Sequence, residues 1–69
     1  MSTKNKGIGL GYADVKLETS NAVLFKTDEY GDMWVPKSQI HDDSDVWNIK
    51  NNKGTLVVSE WFARQKGLL

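Results

Sequence analysis

The sequence predicts a small, mainly β domain that closes with a short helix. Three observations predict this class. Apolar and polar residues alternate over residues 13–18, which is the period of a half-buried strand. Glycine-containing polar loops at residues 28–31 and 51–54 separate short apolar runs, as hairpin loops do. Residues 59–68 carry the start and stop signals of one helix.

The first half of the chain predicts a tail and three strands. Residues 1–11 are polar and then glycine-rich, so we expect a flexible tail, with the folded domain over residues 12–69. Residues 13–18 form the first strand, with Ala13, Val15 and Leu17 on its buried face. Residues 22–25 are apolar on both faces and form the second strand. A loop with Gly31 at positive φ leads into the third strand, residues 33–35.

Pro36 ends the third strand because it has no amide hydrogen to donate to a ladder. We expect residues 37–40 to form one helical turn that packs Ile40 onto the sheet. Residues 41–45 form a polar loop, and residues 46–49 and 55–58 form the fourth and fifth strands. The second hairpin loop joins these last two strands.

The closing helix has the clearest boundaries. Ser59 is a good N-cap, and Glu60 places negative charge in the first turn. Gly67 suits the position just after the helix, with Leu68 folding back as in a Schellman motif. Five short strands with a helical interruption after the third predict a small barrel that is OB-like or SH3-like.

Composition limits the possible functions. The chain has 69 residues and no cysteine, so its core is thin and lacks a disulfide. Nine basic and nine acidic residues balance, which argues against a general polyanion binder, although residues 26–45 are acidic and residues 46–69 basic. No apolar run is long enough for a membrane span or a signal peptide. We expect a soluble, cytoplasmic protein that does not engage a membrane.

Neither a metal site nor a catalytic site is predicted. His41 stands beside Asp42, Asp43 and Asp45, but the glycine and terminal glutamate of an EF-hand loop are missing. A solvated loop explains these residues better. Serine residues could be combined with His41 on paper, yet no nucleophile-elbow sequence surrounds any of them. We therefore expect no cofactor, no metal and no enzymatic activity.

The three tryptophans are the main candidates for a binding surface. In so small a chain the favoured interpretation is that all of them fill the core. Strand alternation nevertheless places Trp34 opposite Met33 and Val35, and outward if those two point inward. An exposed Trp34 near lysines would suit base stacking or a protein hot spot. The candidate binding residues are Trp34, Tyr30, Lys37, Lys26, Asp42, Asp43, Lys50 and Lys53.

Residues 34–40 read WVPKSQI, and residues 58–68 read VSEWFARQKGL. These two stretches resemble a group of small bacteriophage and prophage proteins. The likeness covers about residues 13–69 and leaves the glycine-rich start outside. It implies a phage accessory or early protein, located in the host cell cytoplasm. It supplies no activity and no functional residues.

The sequence therefore predicts a small non-enzymatic interaction module that binds a host or phage protein through Trp34 and the acidic loops. The alternative is an OB-like barrel that binds single-stranded nucleic acid through Trp34, Tyr30 and the nearby lysines. A homodimer is also plausible, because short strands leave open edges and the core is thin.

Overall fold

A computed structural model describes residues 6–69 of the chain. One antiparallel sheet contains four strands in the order β3-β2-β1-β4. The strands are β1 (Gly7–Glu18), β2 (Ala22–Thr27), β3 (Gly31–Pro36) and β4 (Lys53–Ser59). A 3₁₀ turn, Lys37–Gln39, follows β3, and the helix α1, Glu60–Gln65, follows β4. The mainly β class and the short C-terminal helix are confirmed.

Strand β1 is the long element that joins the two halves of the sheet. Its first half pairs with β4, from Gly7 opposite Ser59 onward, and its second half pairs with β2 as far as Glu18. The ladder with β4 is irregular between Gly9 and Tyr12, where Gly11 takes a φ of +89°. Residues 7–11 were predicted to be tail and are instead strand. Residues 1–5 of that predicted tail lie outside the described residues.

The predicted fourth strand, residues 46–49, is wrong, and residues 6–69 form an unclosed four-stranded sheet in place of the predicted five-stranded barrel. The outer edge of β4 is covered instead by residues 40–46, which we call the edge segment. Ile40 makes a single bridge with Val58, and the His41 amide donates to the Val57 carbonyl at 2.9 Å. The Asp45 amide donates to the Thr55 carbonyl at 2.9 Å. These contacts use the partners that a fifth strand would need.

Side chains complete the cover of β4. The Ser44 hydroxyl accepts from the Val57 amide at 3.1 Å and donates to the Val46 carbonyl at 2.7 Å. An Asp45 carboxylate oxygen accepts from the Thr55 amide at 3.3 Å. The Thr55 and Val57 amides, which a neighbouring strand would otherwise pair, thus bond to side chains, and the edge segment does not need to be a strand.

Both ends of α1 are built as the sequence predicts. The Ser59 hydroxyl accepts from the Phe62 amide at 3.1 Å, and Gly67 takes a φ of +72°. The Leu68 amide donates to the Ala63 carbonyl and the Gly67 amide to the Arg64 carbonyl, which is the Schellman pattern. The turn after Pro36 and the positive φ of Gly31 are likewise confirmed. No helix within residues 6–69 has the length and apolar character needed to cross a membrane.

The core excludes the tryptophans. Trp34, Trp47 and Trp61 are 45%, 47% and 57% exposed, so the favoured interpretation that they fill the core is wrong. Smaller side chains fill the core instead, and complete burial is generally rare for the large indole. The buried core consists of Leu10, Ala13, Val23, Phe25, Val35, Val46, Leu56, Val58, Phe62 and Ala63.

Candidate functional site

A row of apolar side chains crosses the solvent-facing side of three strands. Leu17, Leu24 and Trp34 are register partners across β1, β2 and β3. Met33 and Val35 pack on the core, so the alternation of β3 turns Trp34 to solvent. Leu17 is 56% exposed. Its predicted place on the buried face is wrong, because the ladder shifts register between Val15 and Leu17 and so reverses the alternation.

Trp34 also forms one wall of a groove against the C-terminal helix. The groove has a volume of about 480 Å³, and Trp61 lines it as well. Pro36 and Ala22, which are register partners on β3 and β2, also line it. We call it the Trp34–Trp61 groove; its lining residues are Ala22, Trp34, Pro36, Trp61, Phe62, Gln65 and Lys66.

The position of the N-cap determines that Trp61, rather than Phe62, is the exposed aromatic residue of α1 in the groove. Because Ser59 starts the helix, Phe62 and Ala63 fall on its inner face and are buried. Trp61 is rotated by about 100° from Phe62 around the helix axis, and it remains exposed. Arg64 is held by Glu60 one turn earlier, at 2.8 Å, whereas the Lys66 ammonium lies 5.7 Å from the centre of the Phe62 ring. Lys66 is the cation that lines the groove.

A second row on the outer face of the sheet alternates in charge. Asp32, Lys26, Asp14 and Lys53 are consecutive register partners across β3, β2, β1 and β4. The Lys16 ammonium also pairs with Asp32 at 3.0 Å. Each lysine of the row thus has an acidic neighbour, and one oxygen of Asp14 is buried without a hydrogen-bond partner. The row does not form a continuous cationic stripe.

A smaller cavity of about 400 Å³ lies beside the edge segment, with Trp47 in its wall. We call it the Trp47 pocket. Lys37 lines it and donates to one oxygen of Glu18, while the other oxygen accepts from the Ile49 amide at 3.0 Å. The bond from Lys37, followed by that from Ile49, lowers the pKa of Glu18 below its usual value. Glu18 thereby connects β1 to the 3₁₀ turn and to residues 46–49.

The predicted site residues fall on separate parts of the molecule. Trp34 and Lys26 share the outer face of β2 and β3, and Tyr30 lies exposed in the turn between these strands. Lys37 and Asp42 line the Trp47 pocket instead. Asp43, Lys50 and Lys53 are exposed and line neither cavity.

Sequence reasoning missed the partners of Trp34. The sequence places Trp61 in the core with the other tryptophans, and Leu17 on the buried face of β1. Helical periodicity with Phe62 and Ala63 inward could have indicated an outward Trp61. No local signal indicates the register shift that exposes Leu17, since it depends on how β1 pairs with β2.

Comparison with protein-family models, with curated proteins and with solved structures finds no match to the chain. Within residues 6–69, no three His, Asp or Glu side chains are placed to hold a metal ion. The site must therefore be interpreted from its own geometry.

Proposed function

We propose that the chain is a small protein-interaction module that binds its partner through the Trp34–Trp61 groove. One observation carries this proposal: two tryptophans from different elements remain 45% and 57% exposed and line the same groove. Leaving two indoles in water is unfavourable unless a partner covers them, and tryptophan is enriched at the centres of protein interfaces. The apolar row of Leu17, Leu24 and Trp34 extends the surface across the sheet.

The resemblance to small bacteriophage and prophage proteins supports a phage or host protein as the partner. Both stretches that carry this resemblance contribute to the groove. Residues 34–40 contribute Trp34 and Pro36, and residues 58–68 contribute Trp61 and Lys66. A phage accessory role for a non-enzymatic module is part of the proposal.

The lysines near Trp34 do not form a continuous cationic path, which favours a protein over a nucleic acid. Lys26 and Lys53 each stand beside Asp14, and Lys66 is the single cation among the residues that line the groove. A single-strand binder instead needs cations that follow the phosphate backbone next to the stacking aromatic residue. The nucleic-acid alternative predicts binding of single-stranded oligonucleotides that weakens steeply as salt rises. We expect no such binding at low salt.

Selection from a displayed random peptide library tests the proposal. Peptides selected on the wild-type protein should lose at least roughly 2 kcal/mol of affinity on Trp34→Ala, or about thirtyfold, because an interface tryptophan is a typical hot spot. Trp47→Ala is the matched control, since Trp47 is equally exposed but lies in the other cavity. Peptides that bind wild type and Trp34→Ala equally well would contradict the assignment of the groove.

A further inference from the structure

The two outer edges of the sheet differ. Strand β4 is covered by the edge segment, whereas β3 pairs only with β2 among the described residues. Outside that ladder, no backbone hydrogen bond joins residues 31–36 to any other part of residues 6–69. An edge strand of this kind presents a row of amides and carbonyls that can pair with an added strand.

The open part of β3 lies beside the Trp34–Trp61 groove. Pro36 lacks an amide hydrogen and ends the usable edge at one side. The Lys37 amide, just beyond β3, donates to the Asn21 carbonyl, so the alternation of an antiparallel ladder turns the amides and carbonyls of Asp32 and Trp34 to the open side. An added strand could form backbone hydrogen bonds with β3. One of its side chains could also enter the groove, because alternate side chains of a strand point to the same face.

The charges at the two ends of β3 have opposite signs. Lys66 lines the groove beside Pro36. At the other end, the turn between β2 and β3 carries Asp28 and Glu29, both exposed. A bound segment with an acidic group at the Pro36 end and a basic group at the turn end would complement both.

We propose that β3 binds an extended peptide segment of a partner protein as an additional strand. The segment carries a bulky apolar side chain that enters the Trp34–Trp61 groove, an acidic residue facing Lys66 and a basic residue facing Asp28 and Glu29. This inference rests on the proposed function and specifies its partner: a strand-forming peptide rather than a folded surface or a helix.

Backbone N-methylation of the selected peptide tests the strand pairing. Methylating one residue at a time removes one amide donor and keeps the side chain. In an added strand only every second amide faces β3, so we expect alternate positions to lose at least tenfold in affinity while the positions between them change little. If binding depends on Trp34 but no alternation appears, strand addition is wrong while the groove remains the binding site. If no selected peptide depends on Trp34, both proposals fail.

Charge reversal tests the orientation. Lys66→Glu should weaken the peptide at least threefold, and exchanging the peptide's acidic residue for lysine should restore binding to this variant. Lys50→Glu, at an exposed lysine outside the groove, is the matched control and should change nothing. Equal effects of both variants would overturn the assigned polarity.

Light scattering provides a further check on the occupant of β3. A dimer that Trp34→Ala dissociates would show that a second copy of the chain, and not a partner peptide, pairs with this strand.

Discussion

Within residues 6–69, the two edges of the sheet differ, because β4 is covered by the edge segment and β3 is not. On β4, the edge segment supplies amides from His41 and Asp45 and side-chain acceptors from Ser44 and Asp45. On β3, no described residue supplies an equivalent cover, and an exposed tryptophan lies at the centre of the strand. Backbone amides and carbonyls therefore stabilise the fold at the β4 edge, and the corresponding groups at the β3 edge are available for recognition. Variants of the first edge should change folding, and variants of the second should change binding.

Hydrogen exchange should show the largest difference between the edges. The Val57 amide is bonded to the buried Ser44 hydroxyl and should open only with global unfolding, whereas the Thr55 amide, bonded to the exposed Asp45 carboxylate, should open more readily. On β3, the amides that face away from β2 should exchange on the order of a thousandfold faster than the Val57 amide, because they need no unfolding event. NMR-detected exchange measures both sets in one sample. Uniform protection along residues 32–35 would mean that β3 is covered as well.

A methyl group at Gly54 should be the most destabilising small change at the covered edge. Gly54 has a φ of +143°, and an added Cβ would lie 2.6 Å from the Cβ of Asp45. Backbone strain and overpacking act together, so Gly54→Ala should lower the free energy of unfolding by about 2–4 kcal/mol. Urea denaturation measures this change.

Gly9→Ala is the matched control for Gly54→Ala. Gly9 is in β1, its φ is not positive, and an added Cβ would meet no atom within 4 Å. This variant should be neutral or slightly stabilising. Comparable losses in the two variants would show that the edge segment does not restrict Gly54.

Removing the Ser44 hydroxyl should have the next largest effect. Ser44 is 4% exposed, and its oxygen bonds both the Val57 amide and the Val46 backbone. Without it the Val57 amide stays buried and unpaired, so Ser44→Ala should cost about 1–3 kcal/mol. Ser38→Ala, at an exposed position of the 3₁₀ turn, should stay within about 0.5 kcal/mol of wild type in the same urea titration. Equal values would contradict the structural role of Ser44.

Features set by neighbouring residues were predictable from the sequence. Pro36 ends β3, Ser59 caps α1 and Gly67 ends it, since each acts on backbone groups a few residues away. The structure of residues 46–49 was not predictable. Val46 and Ile49 have side chains typical of a strand, but the edge of β4, which is distant in sequence, bonds to His41 and Asp45 instead. The site was half predictable: alternation turned Trp34 outward, but its meeting with Trp61 depends on tertiary packing.

The smallest predicted effect concerns pH and the link between β1 and the covered edge. Since the folded protein holds the pKa of Glu18 below its usual 4.5, the bonds to Lys37 and Ile49 stabilise the fold fully above that value. This stabilisation is lost as pH falls through the lowered pKa, because the carboxyl is protonated in both states there. Glu18→Gln should therefore lose stability relative to wild type at neutral pH and approach it below pH 4.5. Lys37→Gln should give a smaller change of the same kind, as the Ile49 amide still contacts Glu18. Urea midpoints of the three proteins across this range test the linkage, and a constant difference between wild type and Glu18→Gln at all pH values would show that the charge of Glu18 does not contribute.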